Sequence, residues 1–198
     1  MNPYTIALFV HLIGLIALFG GLVILQQGGA RLRAATTWQE ARNWLELLFP
    51  VRNMFIAGSV FLLASGLYMT NARWTPRTPW VVVPMVIVVF VIIEAVVMGR
   101  GLARISRASN EHEGSISEEA RTLLTSPALW SPAYGTNGAT LGALWLMTTK
   151  PGWVASIGVP LVLAAVGSLI GWAVTRSRTA GHRRAHPIPA GPLPHGGR

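Results

Sequence analysis

Five stretches of this chain are predominantly apolar and close to the roughly 20 residues that a helix needs to cross a bilayer. They run over residues 4–26, 47–70, 78–98, 129–149 and 153–174. Lipid offers backbone N–H and C=O groups no water, so such segments must close their own hydrogen bonds, as a helix does. The third stretch, WVVVPMVIVVFVIIEAVVM, is rich in β-branched residues that favour strands in water, yet lipid makes it a helix for the same reason. The expected fold class is therefore all-α: a polytopic membrane helix bundle with five transmembrane helices in residues 1–174. Composition agrees, because 52% of the residues are hydrophobic and only 12% are charged, about half the charged share of an ordinary soluble domain.

Basic residues set the expected orientation, since Lys and Arg concentrate in short cytoplasmic loops. With five spans, one side receives Arg31, Arg33 and Arg42, then Arg100, Arg104, Arg107 and Arg121, then the arginines of the tail. The other side receives Arg73, Arg77 and Lys150. Leaving the fourth stretch out of the membrane would bring the two sides nearly level. The N-terminus is thus expected outside and the C-terminus inside, in a bacterial cytoplasmic (inner) membrane. Trp74, Trp80, Trp145 and Trp153 fall near the expected outer ends, where interfacial indoles belong.

The first stretch lacks a basic leader and a small-x-small cleavage site, so it is read as a permanent helix. In the long loop after the third span, Ser115 and Glu118 have capping-box spacing, which predicts a short cytoplasmic surface helix. Residues 175–198, rich in Arg, Pro and Gly, are expected to form a disordered basic tail. The expected partners are the lipid bilayer and, for the cytoplasmic arginines, anionic lipid; a homo-oligomer or membrane complex stays open. A net charge of +9 does not point to nucleic acid, because no basic stretch is interleaved with aromatics. Without cysteine there can be no disulfide, thiolate metal site or thiol chemistry.

Three ionisable residues lie within the spans: His11, Arg52 and Glu94. Each costs insertion energy, so each is expected to face the bundle. At 100° per residue, Ala7, His11, Gly14, Leu18 and Gly21 share one narrow helix face, and its small residues mark close packing against a neighbour. Counting from Tyr4 at 1.5 Å per residue places His11 roughly 10 Å below the outer surface. A neutral ring bonded to a hydroxyl or carbonyl of the next helix is one reading of this histidine. A haem or metal ligand is another. Met69, Met85 and Met147 share the outer half, and thioethers with imidazole suit Cu(I), so His11, Met69, Met85 and Met147 form a candidate copper set. In the inner half, Arg52 and Glu94 are expected to form an interhelical ion pair, with Asn53 and Asn137 near it. The alternative has Arg52 reaching the inner headgroups and Glu94 facing Arg100. Gly138 with Gly142, and Gly167 with Gly171, have GxxxG spacing, expected to mark helix packing.

FVHLIGLIALFGGLVI in the first span, LFPVRNMFIAGSVFLLASGLYMT in the second and LWLMTTKPGW closing the fourth resemble the bacterial integral membrane proteins grouped as domain of unknown function number 2269. The resemblance covers residues 1–153. That family is distantly similar to copper-resistance D-type membrane proteins and to haem-dependent, four-helix protoporphyrinogen oxidases, which carry a histidine in a first span of this style. What it implies for His11 is haem or metal ligation. The chain departs from a haem enzyme of that kind in having no second histidine in the membrane and no lysine in its second or third span. The resulting expectation is a membrane protein holding haem or a metal through His11. Two alternatives accompany it: a structural or assembly subunit without cofactor, and a copper transporter using His11 with the outer methionines.

Overall fold

The computed structural model describes residues 2–75 and 77–185, which fold into six helices. These are α1 (Pro3–Ala34), α2 (Trp38–Arg73), α3 (Pro79–Glu111), α4 (Glu118–Leu124), α5 (Pro127–Thr149) and α6 (Trp153–Ala185). No strand occurs among the described residues; Thr37 and Ser115 make one isolated bridge. Connections of three residues join α1 to α2 and α5 to α6, which leaves each pair no arrangement but an antiparallel hairpin. The two hairpins meet chiefly through α3, which packs on α2 and on α5.

Small residues let the helices of each hairpin approach to backbone contact. Gly14 of α1 sits so close to α2 that a Cβ there would lie 2.8 Å from the Gly58 carbonyl oxygen and 2.9 Å from the Leu62 nitrogen. Gly21, one heptad on, faces the Phe55 side chain. In the second hairpin Gly138 abuts the Leu163 carbonyl and Gly167 the Tyr134 carbonyl, while Gly142 faces Pro160 and Gly171 the Tyr134 ring. Both GxxxG pairs therefore serve packing, as their spacing implies.

By length and composition α1, α2, α3 and the 153–174 part of α6 can each cross a membrane. Their apolar windows are only 17–28% buried within the bundle, and Ile16, Phe90 and Val154 stand 73%, 69% and 89% exposed. Water would not tolerate so continuous an apolar surface; lipid does. Helix α5 has 23 residues but carries Ser131, Thr136, Asn137 and Thr140, and it is not among these four.

Three of the helices outrun their apolar stretches at one end, where α1 reaches 34, α2 starts at 38 and α3 continues to 111. These extensions, with α4 and the start of α5, enclose a second core of Leu32, Trp38, Leu45, Leu48, Leu102, Ile116, Leu124 and Trp130. Its members are aliphatic and aromatic side chains, and many of the arginines lie at this basic end. Two hydrogen bonds, Trp38 N–H to Gly114 O (3.0 Å) and Ile116 N–H to Thr36 O (3.1 Å), tie the α1–α2 turn to the α3–α4 loop. Gly114 has φ +80, a conformation that a residue with a Cβ rarely adopts. Thr37 caps α2 by accepting from Glu40 N–H, and the Glu40 carboxylate accepts from Thr36.

Two expectations need correction here. Helix α4 forms, but the oxygen that caps it belongs to Ser117, which accepts from Ala120 N–H; Ser115 is taken up in the bridge to Thr37. And the expected disordered tail is helical over 175–185, where α6 continues beyond its apolar part, 153–174. Residues 186–198 of the expected tail lie outside the described residues.

Glycine substitution gives a direct check of the two hairpins. Gly138→Ala drives a methyl group into the Leu163 backbone, and overpacking of this kind costs about 1–3 kcal/mol. Gly20→Ala meets nothing within 4 Å and should leave stability unchanged or slightly raised. Thermal unfolding in detergent, followed by circular dichroism, should separate the two variants clearly.

Candidate functional site

The face of α1 that carries His11 packs on α2, and there the ring finds two partners. Nδ1 lies 3.1 Å from the Leu62 carbonyl oxygen and 3.2 Å from Ser65 Oγ. A carbonyl can only accept, so in this bond Nδ1 carries the hydrogen. Ser65 spends its own hydrogen on the Phe61 carbonyl at 2.6 Å, which leaves its oxygen free to accept as well. The neutral ring is thereby fixed as the Nδ1–H tautomer, with its lone pair on Nε2, which makes no hydrogen bond to the described residues. Gly66 completes the seat, since its Cα position leaves ordinary van der Waals room beside the ring.

His11 lines a cavity of about 420 Å³ enclosed by α1, α2, α3 and α5, within the roughly 300–1,000 Å³ of small-molecule sites. Met69, Met85 and Met147 line the same cavity, so the structure brings the four candidate ligands to one place. The rest of the wall is chiefly apolar, with Thr70 and Thr140 turned to backbone carbonyls of their own helices. Among the described residues no group of three or more His, Asp or Glu could hold a metal ion, so any ion here would depend on thioethers.

The mouth of this cavity is built from aromatic rings and cations. Trp74 and Trp80 meet edge to face with centroids 4.9 Å apart, and Lys150 Nζ lies 5.0 and 5.2 Å from the two ring centroids. Lys150 also lines the cavity, held there as the left-handed C-cap of α5 with φ 51 and ψ 52. Arg73 stacks on Tyr4 at 4.5 Å. A cation over an aromatic face gains electrostatically while its charged head stays at the water edge, so Lys150 and Arg73 place positive charge at the mouth.

The inner half is arranged otherwise than the sequence suggests. Among the described residues no ion pair joins Arg52 or Arg100 to Glu94. Glu94 turns to α5 and accepts a hydrogen bond from the Thr136 hydroxyl. Arg52 donates to Asn53 at 3.0 Å and extends along α3 to Gly99, five residues beyond Glu94 and thus about 7.5 Å nearer the basic end. The length of the arginine side chain is the reason: it carries the charge past the carboxylate toward polar surroundings. Glu94 instead borders a second, small void of about 50 Å³ with Gln26, Thr136 and Asn137 among apolar side chains. Of Asn53 and Asn137, expected together, the first accepts from Arg52 and the second lines the void beside Glu94.

Two features escape sequence reasoning. Arg33 is buried, with Cζ 4.6 Å from the Trp130 ring and with Nε and Nη1 unpartnered, inside what reads as a cytoplasmic arginine cluster. The hydroxyl face of α5, where Thr136 and Thr140 recur at a four-residue interval, is legible as a polar stripe in the fourth apolar stretch, but only in hindsight of what it faces.

No protein family, no curated protein and no solved structure matches the chain.

The tautomer can be read in solution. Protein labelled with ¹⁵N-histidine should give His11 the shift pattern of a ring protonated at Nδ1; a ring protonated at Nε2 would mean that the Leu62 contact is not a hydrogen bond.

Proposed function

We propose that this is a five-span protein of the bacterial inner membrane, N-terminus outside, whose outer-half cavity binds a soft metal ion or a haem at His11 Nε2. The observation that carries this reading is the single cavity that gathers His11 with Met69, Met85 and Met147. Metal-binding histidines commonly donate their other ring N–H to a backbone carbonyl, which fixes the ring and raises its basicity, and His11 makes that bond to Leu62. One imidazole with thioethers suits Cu(I). The same donors suit a haem with His and Met as axial ligands, and Lys150 at the mouth would meet its carboxylates. Either group would bring one-electron chemistry to the outer half of the membrane.

The fifth span is α5, whose antiparallel packing against α6 carries the chain across beside it. With α5 spanning, most arginines fall on the inner side and the Trp74–Trp80–Lys150 mouth on the outer one. Anionic lipid beside the inner arginines fits this orientation. A structural subunit is the second reading, favoured by the bond from His11 to Leu62, which by itself joins α1 to α2. Copper transport is the third and would use the same four residues with weaker, exchangeable binding.

Visible absorption and metal content of the protein, purified in mild detergent and then incubated with haem or Cu(I), separate these readings. A Soret band lost in His11→Ala identifies haem. Stoichiometric copper lost in His11→Ala and reduced in Met85→Leu identifies the metal site. Colourless protein that takes up neither group leaves His11 as a link between helices.

A further inference from the structure

Glu94 is an acidic side chain set well inside an apolar stretch, and among the described residues no cation pairs with it. Its carboxylate accepts from the Thr136 hydroxyl, its one hydrogen bond among the described residues. The other groups that line the void it borders are neutral, with Gln26 from α1, Phe55 from α2, and Trp130 and Asn137 from α5 among them. Arg52, the nearest arginine of α2, is engaged by Asn53. A carboxyl group in such surroundings is carried at the cost of its insertion, and groups of this kind in membranes bind and pass ions or protons.

The void beside Glu94, about 50 Å³, has room for a few water molecules, each needing roughly 10–15 Å³. Its wall is too apolar to replace the hydration shell of a metal cation, so a proton is the ion that fits. The void also lies in line with the outer cavity along the seam between α1 and α5. Leu22, Val91 and Thr136 line the smaller space; Leu18, Val88 and Thr140, one turn nearer the tryptophan end, line the larger. The two linings are therefore offset by one helical turn, about 5.4 Å, along which the hydroxyls of Thr136 and Thr140 lie beside the buried side chains of Leu18, Val88 and Val91.

We propose that Glu94 is a proton-loading site that connects the basic end of the bundle with the His11 cavity. A proton enters from water on the Gln26 side and forms an O–H bond on the Glu94 carboxylate. It leaves by breaking that bond to water, crosses the turn marked by Thr136 and Thr140, and reaches water in the outer cavity. The net change is transfer of one proton, with no electron moved and no other bond altered. The proposal holds whatever the outer cavity contains.

Proteoliposomes with a pH-sensitive dye inside, placed under a potassium diffusion potential, test it with the full chain. Wild-type vesicles should change internal pH several-fold faster than protein-free vesicles, and Glu94→Gln should return the rate to the protein-free level. Glutamine still accepts from Thr136, so this variant keeps the local hydrogen bond. Dicyclohexylcarbodiimide, which reacts with protonated carboxyl groups in apolar sites, should block the wild-type flux while adding one adduct to the mass. Thr136→Val with Thr140→Val should slow the flux. A wild-type rate no greater than that of Glu94→Gln or of protein-free vesicles, or flux that survives stoichiometric carbodiimide labelling, overturns the proposal.

Discussion

The architecture depends on backbone contact at a few glycines. Gly14 against Gly58 and Leu62, and Gly138 and Gly167 against the carbonyls facing them, draw two pairs of helices closer than any pair of larger residues could. Between apolar helices in lipid, water expulsion gives little help, so this close dispersion contact is what holds each hairpin. The contacts within a hairpin leave the contacts between hairpins chiefly to α3. A seam follows between α1 and α5, and both internal voids lie in it.

Polar groups accumulate along that seam for the same reason. Where helices touch through glycine there is little space for a long polar side chain. His11, Thr140, Thr136, Gln26, Asn137 and Glu94 all line the spaces that α3 leaves open between the hairpins. His11 and Thr140 meet backbone carbonyls of the adjacent helix and of their own helix, and Thr136 meets Glu94, which is how isolated polar groups lower their cost in lipid. His11 is the clearest case, because one ring nitrogen is consumed by α2 and the other makes no hydrogen bond to the described residues.

The helices were legible because lipid length and backbone hydrogen bonding allow so few alternatives. The face of α1 was legible too: a seven-residue repeat of small residues fixes an azimuth, and Gly14, Leu18 and Gly21 are buried on it. The placing of Arg52 and Glu94 failed where the information was missing. Hydropathy gives depth to about a turn and says nothing of direction, so opposite charges at similar depth looked like partners while one side chain reached along α3 and the other toward α5. The core at the basic end was hidden differently. Leu32, Trp38 and Leu102 lie among arginines, and a search for long apolar runs passes over a core assembled from several short ones.

That core sets where the bundle can move. Trp130 of α5 lies against Gly29 and under Arg33 of α1, so the two hairpins are riveted at the basic end. At the opposite end Trp74, Trp80 and Lys150 meet through ring contacts. A helix of 32 residues is about 48 Å long, so a tilt of about 5° at the rivet would displace the far end by roughly 4 Å. The tryptophan end, and the cavity beside it, thus lie where a small change in helix angle has its largest effect.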